Sequence, residues 1–348
     1  MKGDEVKAFQ FTQWKKSAEL VDVPVPEPGP GQVLIKIGGS GACHSDLHIM
    51  HEWTPETFPT VAHWSLPFTL GHENAGWLAS DEHAGIEKGA PVVISPTWSC
   101  GFCKSCRQGA TNYCETEPSV SGGLGLDGGF AEYMLAPAEC LIPLRELDPT
   151  QAAPLTDAGL TAYHAVKWCL PKLTPNTVVV VIGVGGLGQM AIQFLRELTG
   201  AKIIATARSE KSLKTASDLG ADLTLPSDDQ LVSEVKKVSN GLGAMAVLDF
   251  VGNDATLAMA AQMARKQGQI VLIGLGGGTL PLQYGILPFG CSLVSTLGGT
   301  TGELAEVVAL AEAGRVAPQV ETFPLSEVPD VYAKLEKGEI VGRAVIVP

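Results

Sequence analysis

The sequence predicts a two-domain protein of mixed class, a mainly-β domain joined to an α/β domain built on a doubly wound parallel sheet. Three observations carry this prediction. The chain has 348 residues, too many for one small core and about right for two domains. Near Pro154 its texture changes from Gly- and Pro-rich short strands to strands alternating with helices. Within the second texture, the glycine run Gly183-Val184-Gly185-Gly186-Leu187-Gly188 sits between an apolar strand and a helical segment, the order in which a strand hands over to a helix around a phosphate.

Along the first domain, β-type runs such as Val33-Leu34-Ile35-Lys36-Ile37 and Pro91-Val92-Val93-Ile94 lie between turn signals like Pro28-Gly29-Pro30-Gly31. The second domain reads as strands at Val178 to Ile182, Lys202 to Ala207, Ala246 to Phe250 and Gln269 to Gly274. Helices are expected between them, at Gln189 to Leu198 and Ser212 to Leu219. After Cys291 a helix is expected over Thr301 to Ala313, and the closing run Arg343-Ala344-Val345-Ile346-Val347 reads as a strand returning to the first domain. The expected division is residues 1–153 plus 294–348 for the first domain and 154–293 for the second.

Composition narrows the function classes. With 24 basic against 37 acidic residues and a net charge of −13, the chain is a poor wrapper of nucleic acid and a poor binder of acidic membrane surfaces. No apolar run approaches the length that spans a bilayer, and no basic start leads into an apolar segment. The expectation is a cytoplasmic protein with a small-molecule substrate.

The eight cysteines are not spaced as a disulfide framework. Four of them, Cys100, Cys103, Cys106 and Cys114, crowd into one loop and suffice to close a tetrahedron around zinc. Such a site leaves no position for substrate, so its expected role is to staple a loop with little core of its own. Free or disulfide-bonded cysteines are the alternative.

The glycine run reads as a dinucleotide site. Gly183, Gly185, Gly186, Leu187 and Gly188 let the backbone approach a pyrophosphate that rests on the helix N-terminus. About twenty residues further on, where enzymes that prefer NAD carry an acid for the ribose 2′-hydroxyl, the chain has Ala207-Arg208-Ser209-Glu210-Lys211. Loss of the acid removes repulsion against a 2′-phosphate, and Arg208, Ser209 and Lys211 offer it donors and charge. NADP(H) is therefore the expected cofactor, with NAD(H) possible should Glu210 serve the hydroxyl instead.

Two further segments carry metal-ligand types: Cys43-His44-Ser45-Asp46-Leu47-His48 and Gly71-His72-Glu73-Asn74. Together with the glycine run and the cysteine loop, in this order along nearly the whole chain, they make the sequence resemble the zinc-dependent medium-chain alcohol dehydrogenase family. The segment Leu155-Thr156-Asp157-Ala158-Gly159-Leu160-Thr161 is similar to the branch of secondary-alcohol dehydrogenases and aryl-carbonyl reductases that uses aspartate as a zinc ligand.

The resemblance implies a GroES-like catalytic domain carrying both zinc sites and a Rossmann cofactor domain. It implies two zinc ions per chain, one held by the four cysteines and a catalytic one held by Cys43, His72 and Asp157. An N-cap of the following helix is the alternative role for Asp157. Glu73 becomes an occasional ligand or a partner of the ligands. Ser45 takes the substrate hydroxyl proton and His48 delivers it to solvent. Arg343 becomes a cofactor contact. Trp98 borders the substrate, while Trp53, Phe58, Trp64 and Phe68 either wall an apolar cleft or pack in the core.

The implied reaction is reversible hydride transfer between NADP(H) and a hydrophobic alcohol, aldehyde or ketone, by a homodimer or homotetramer. Two rival readings remain at this level: a zinc-free quinone or enoyl reductase of the same superfamily, and a catalytically silent dinucleotide-binding protein.

Overall fold

The structure is a computed structural model describing residues 5–116 and 120–348. The chain separates into two compact units. One comprises Met1–Leu160, Gly298–Gly314 and Pro318–Pro348, the other Thr161–Leu297 and Arg315–Ala317.

The first unit is built on a seven-stranded sheet whose central strand is Gln32–Ala42. Val33, Ile35 and Ile37 alternate inward to meet Leu78, Val92, Ile94 and Met134 in one core cluster, as period-2 patterning requires. The second half of the strand, Gly38 to Ala42, is buried on both faces, which small residues permit. At Gly41 an added Cβ would stand 1.9 Å from Glu73 Oε2 on the neighbouring strand Glu73–Leu78. Glycine at that position lets the Glu73 carboxylate lie against the strand. The closing strand Arg343–Val347 pairs antiparallel with Gln32–Ala42, Ala344 opposite Ala42.

A second cluster of the same unit joins Phe9, Phe11, Phe68 and Phe130 to Val328, Val331 and Tyr332 of the last helix, Val328–Glu336. It also takes in Ile49 and Met50 of the short helix His44–His51. The aromatic-rich segment after Cys43 divides here. Phe68 and Trp64 are buried in this core, while Trp53 and Phe58 are partly buried against it.

The second unit is a sheet of six parallel strands. Across the sheet their order is Leu223–Pro226, Lys202–Ala207, Val178–Ile182, Ala244–Asp249, Ala264–Leu272 and Ser292–Ser295. The order reverses beside Val178–Ile182, the strand that feeds the glycine turn, which is where ligands bind in doubly wound folds. Val178 to Ile182 is buried throughout, as a central parallel strand must be.

Both edge strands escape pattern reading because each is four residues long and only partly buried. The strand expected at Gln269 to Gly274 begins earlier, at Ala264, across an irregularity in its pairing with Ala244–Asp249. Among the described residues no helix is long and apolar enough to cross a membrane.

Candidate active site and metal centres

Cys43 directly follows the central strand of the first unit and caps the helix His44–His51. His72 follows Gly71, whose φ of +94° suits glycine. A side chain at Gly71 would also strike Phe130 and Ser40 at 2.6 Å. Asp157 lies between the 3₁₀ turn Ala153–Thr156 and the helix Ala158–Cys169.

These three separate segments bring ligand atoms of Cys43, His72, Glu73 and Asp157 within 4.8 Å of one another. Cys43 Sγ is 3.7 Å and His72 Nε2 3.8 Å from Asp157 Oδ2. Ser45 Oγ sits at the edge of the cluster, 3.3 Å from His72 Nε2.

The electrostatics favour a cation. A thiol and two carboxylates converge in a buried place, with Arg343 as the basic group that joins them. Arg343 Nε is 2.9 Å from both oxygens of Glu73, and its terminal nitrogen also bonds Glu73 and lies 3.0 Å from Asp157 Oδ2. Burial pushes the Glu73 carboxyl up to about 7, with the Asp157 charge adding to that and Arg343 opposing it. Burial would also raise Asp157, but His72 and Arg343 outweigh it and hold this carboxyl well below its usual range. Sulfur, imidazole nitrogen and carboxylate oxygen within reach of one point form a fitting donor set for zinc.

His72 is aimed by a residue to which the sequence reading gave no role. Asp46 Oδ1 lies 3.1 Å from His72 Nδ1, so Nε2 is the nitrogen turned toward the cluster. The other oxygen, Oδ2, accepts the Cys43 N–H at 3.0 Å. One buried carboxylate thus orients two candidate ligands. Its sequence signal was the capping-box position, three residues after the N-cap Cys43.

His48 lies one turn along the same helix from Ser45. Its Nδ1 is 2.7 Å from Glu52 Oε2 and its ring stacks on Trp53. Trp98 is partly buried against the Val33 cluster, and its indole N–H donates to Ser95 O at 3.0 Å.

The second metal centre is the cysteine loop, where sulfur atoms of Cys100, Cys103, Cys106 and Cys114 also lie within 4.8 Å of one another. Backbone N–H groups already point at these sulfurs, Cys103 N at Cys100 Sγ and both Cys106 N and Glu115 N at Cys103 Sγ. Such donors stabilise thiolates. Among the described residues no fifth ligand joins the group, and four thiolates suffice to close the site.

In the second unit, Gly183 has a φ of +91° and donates its N–H to Thr206 O, turning the chain out of its strand. Gly185 caps the helix Gly186–Leu198 and has open space where a Cβ would stand. A Cβ at Gly188 would be 1.9 Å from Gly183 O, so this glycine serves close packing of helix on strand. These are the three separate duties that a dinucleotide turn requires. At the end of the next strand Ala207 is buried, while Arg208, Ser209, Glu210 and Lys211 are exposed. Ser209 has a further task, as it caps the helix Glu210–Asp218 by accepting Ser212 N–H.

A GroES-like unit with a closed four-cysteine site and an open Cys/His/Asp cluster, in one chain with a Rossmann unit, defines a zinc-dependent dehydrogenase. Family comparison agrees: residues 29–146 match the alcohol dehydrogenase GroES-like domain and residues 186–313 the zinc-binding dehydrogenase domain. An NAD-dependent alcohol dehydrogenase of Sulfurisphaera tokodaii is 37% identical over 352 residues, covering 99% of this chain and all of that protein. A D-arabinose 1-dehydrogenase (NADP(+)) of Saccharolobus solfataricus is 34% identical, with 98% of this chain and 97% of that protein covered. The crystal structure of the alcohol dehydrogenase from Aeropyrum pernix superposes with a TM-score of 0.90 at 36% identity, covering 98% of this chain and 100% of that one. The chain belongs to the zinc-binding medium-chain alcohol dehydrogenase family, and is an NAD(P)-dependent enzyme with one catalytic and one structural zinc site.

Proposed function

We propose that the enzyme interconverts hydrophobic primary and secondary alcohols with their aldehydes and ketones, and that it uses NADP(H) in preference to NAD(H). The observation that carries this reading is the convergence of Cys43, His72 and Asp157 on one point, with the Ser45 hydroxyl at its edge. Zinc held by those three residues supplies a Lewis acid that makes a substrate hydroxyl acidic. Ser45 Oγ accepts the released proton. His48, whose Nδ1 is held by Glu52, passes it to solvent through Nε2. Glu73 serves as an occasional fourth protein ligand, restrained by Arg343.

Gly183, Gly185, Gly186, Leu187 and Gly188 receive the cofactor pyrophosphate, and Arg343 adds a contact to the cofactor. Arg208, Ser209 and Lys211 receive the 2′-phosphate. Their exposure, next to a buried alanine in place of an acid, supports this choice. Trp98 lines the apolar side of the substrate site. The two rival readings lose support, because neither a zinc-free reductase nor a silent dinucleotide binder needs a converging Cys/His/Asp set. We place the catalytic domain at residues 1–153 plus 294–348 and the cofactor domain at 154–293. The enzyme is assigned to the cytoplasm as a homodimer or homotetramer.

A panel of aryl and medium-chain alcohols and carbonyls, assayed with both cofactors, tests the reading. Turnover with higher kcat/KM for NADPH than for NADH is expected. A clear NADH preference overturns the cofactor assignment, and turnover confined to polar substrates overturns the substrate class.

A further inference from the structure

We infer that Asn74 is a positioning residue of the catalytic metal centre, acting through the Gly71 carbonyl, and that Ser40 holds Asn74 in place for that task. The inference rests on the reading of His72 as a zinc ligand.

The starting point is the backbone just before His72. Gly71 lies in the left-handed region with a φ of +94°, and glycine has the most alternative conformations to give up. A turn of the Gly71–His72 peptide plane would carry the imidazole away from Cys43 and Asp157. Two donors grip that plane by its oxygen. Gly71 O accepts the Gly129 N–H at 2.8 Å and the Asn74 Nδ2 hydrogen bond at 3.0 Å. The Asn74 side chain thus reaches back past His72 and Glu73, both of which offer atoms to the metal cluster, and pins the residue before them.

The amide is itself held at its other end. Ser40 stands opposite Asn74 in the register between the strands Gln32–Ala42 and Glu73–Leu78, and its hydroxyl donates to Asn74 Oδ1 at 2.7 Å. Exchanging the oxygen and nitrogen of the amide would set Oδ1 against the Gly71 carbonyl oxygen, so one orientation is fixed. Ser40 is three residues before Cys43, and the pair therefore ties the segment that carries the sulfur to the segment that carries the imidazole.

Ser40 is fully buried and Asn74 is 3% exposed. Polar groups in such a place are costly unless they are hydrogen-bonded, and a satisfied set gives the interior a single arrangement. Room for the pair is made at Gly129, where an added Cβ would stand 1.9 Å from Asn74 Oδ1 and 3.0 Å from Ser40 Oγ. Two apolar side chains of similar shape would serve the sheet about as well, so the use of the pair lies in the carbonyl it holds. Asp46 aims the His72 ring from Nδ1, while Asn74 fixes the backbone that carries the ring.

The test uses the zinc-loaded enzyme and the variants Asn74→Ala, Ser40→Ala and the double variant. Release of zinc to a chromogenic chelator is followed with time, together with the visible spectrum after cobalt(II) replaces the catalytic zinc. Asn74→Ala is expected to speed loss of one zinc about tenfold and to alter the cobalt ligand-field bands, while the other zinc is released at the wild-type rate. Ser40→Ala is expected to speed loss of the same zinc by less, and to add nothing once Asn74 is changed.

Wild-type zinc release by Asn74→Ala overturns the inference. So does a lower urea midpoint with unchanged cobalt bands, which would mark the pair as packing alone. Equal acceleration by Ser40→Ala in both backgrounds overturns the part given to Ser40. If Asn74→Ala does not fold, Ser40→Ala decides by the same readouts: faster loss of one zinc with altered bands supports the inference, and wild-type behaviour overturns it. All these outcomes leave His72 in place as a ligand. A wild-type enzyme whose zinc sits in the cysteine loop alone overturns that reading and this inference together.

Discussion

Arg343 and Glu73, 270 positions apart in sequence, form a buried forked ion pair, Arg343 Nε lying 2.9 Å from each Glu73 oxygen. The pair joins the last strand of the chain to the strand that follows His72, and Asp157 extends it at 3.0 Å. It locks the candidate metal site to the central sheet.

Removing the cation leaves two carboxylates without their shared partner in a dry place. Arg343→Ala is expected to lower the stability of the zinc-loaded enzyme by about 3–5 kcal/mol, read as a lower urea midpoint. Arg343→Lys keeps the charge and loses the fork, so a smaller loss is expected. If Arg343→Ala unfolds at the wild-type midpoint, the ion pair contributes nothing net.

The two metal centres are separable because they share no residue. Asp157→Ala is expected to lower bound zinc from about two to about one per chain and to abolish turnover, leaving the cysteine loop loaded. Cys103→Ser is expected to remove the other zinc and to destabilise its loop first, seen as faster proteolysis between residues 100 and 116. Retention of both zinc ions by Asp157→Ala would reject Asp157 as a ligand.

The glycine turn and the central parallel strands were legible because their signals are local. An unbroken apolar run such as Val178 to Ile182 and a fixed glycine spacing each report a structure made within about thirty residues. The four cysteines were legible for the same reason. Gathering Cys43, His72 and Asp157 needed a family resemblance, since 114 positions separate the first from the last and no periodicity links them.

Asp46 was not legible as a site residue. A capping aspartate looks like ordinary helix chemistry, and only the tertiary fold brings its buried carboxylate to the His72 imidazole. Ser209 was read as a phosphate contact, yet its local role as a helix N-cap follows from the same sequence. Its O–H donates to Ser212 Oγ at 2.8 Å, so serving a phosphate as well requires that O–H to turn away from Ser212.

Ala207 offers a test of cofactor choice. It ends its strand as a buried residue directly before exposed Arg208, the place proposed above for the cofactor ribose. Ala207→Asp is expected to lower kcat/KM for NADPH by about tenfold to a hundredfold while raising the relative use of NADH. Repulsion of a 2′-phosphate by the new charge is the cause. Unchanged NADPH kinetics would place the adenosine ribose elsewhere.

Asp222 fixes the start of the second strand of the cofactor unit and provides a pH signature. Its Oδ2 accepts the Ile203 N–H at 2.7 Å, and its Oδ1 is 2.7 Å from the Arg196 guanidinium. Burial would raise this carboxyl, but the Ile203 bond and Arg196 together hold it below its usual value. A depressed folded-state pKa stabilises the fold fully above the unfolded value, about 3.9, and the contribution disappears as pH falls through the folded value. Asp222→Asn is therefore expected to cost about 1 kcal/mol near neutrality, with the gap to wild type closing as the pH is lowered past the ordinary aspartate range. Urea midpoints of both proteins across that range measure the gap. A difference that stays constant with pH would show that the amide fails through its geometry and that the carboxylate charge adds no stability.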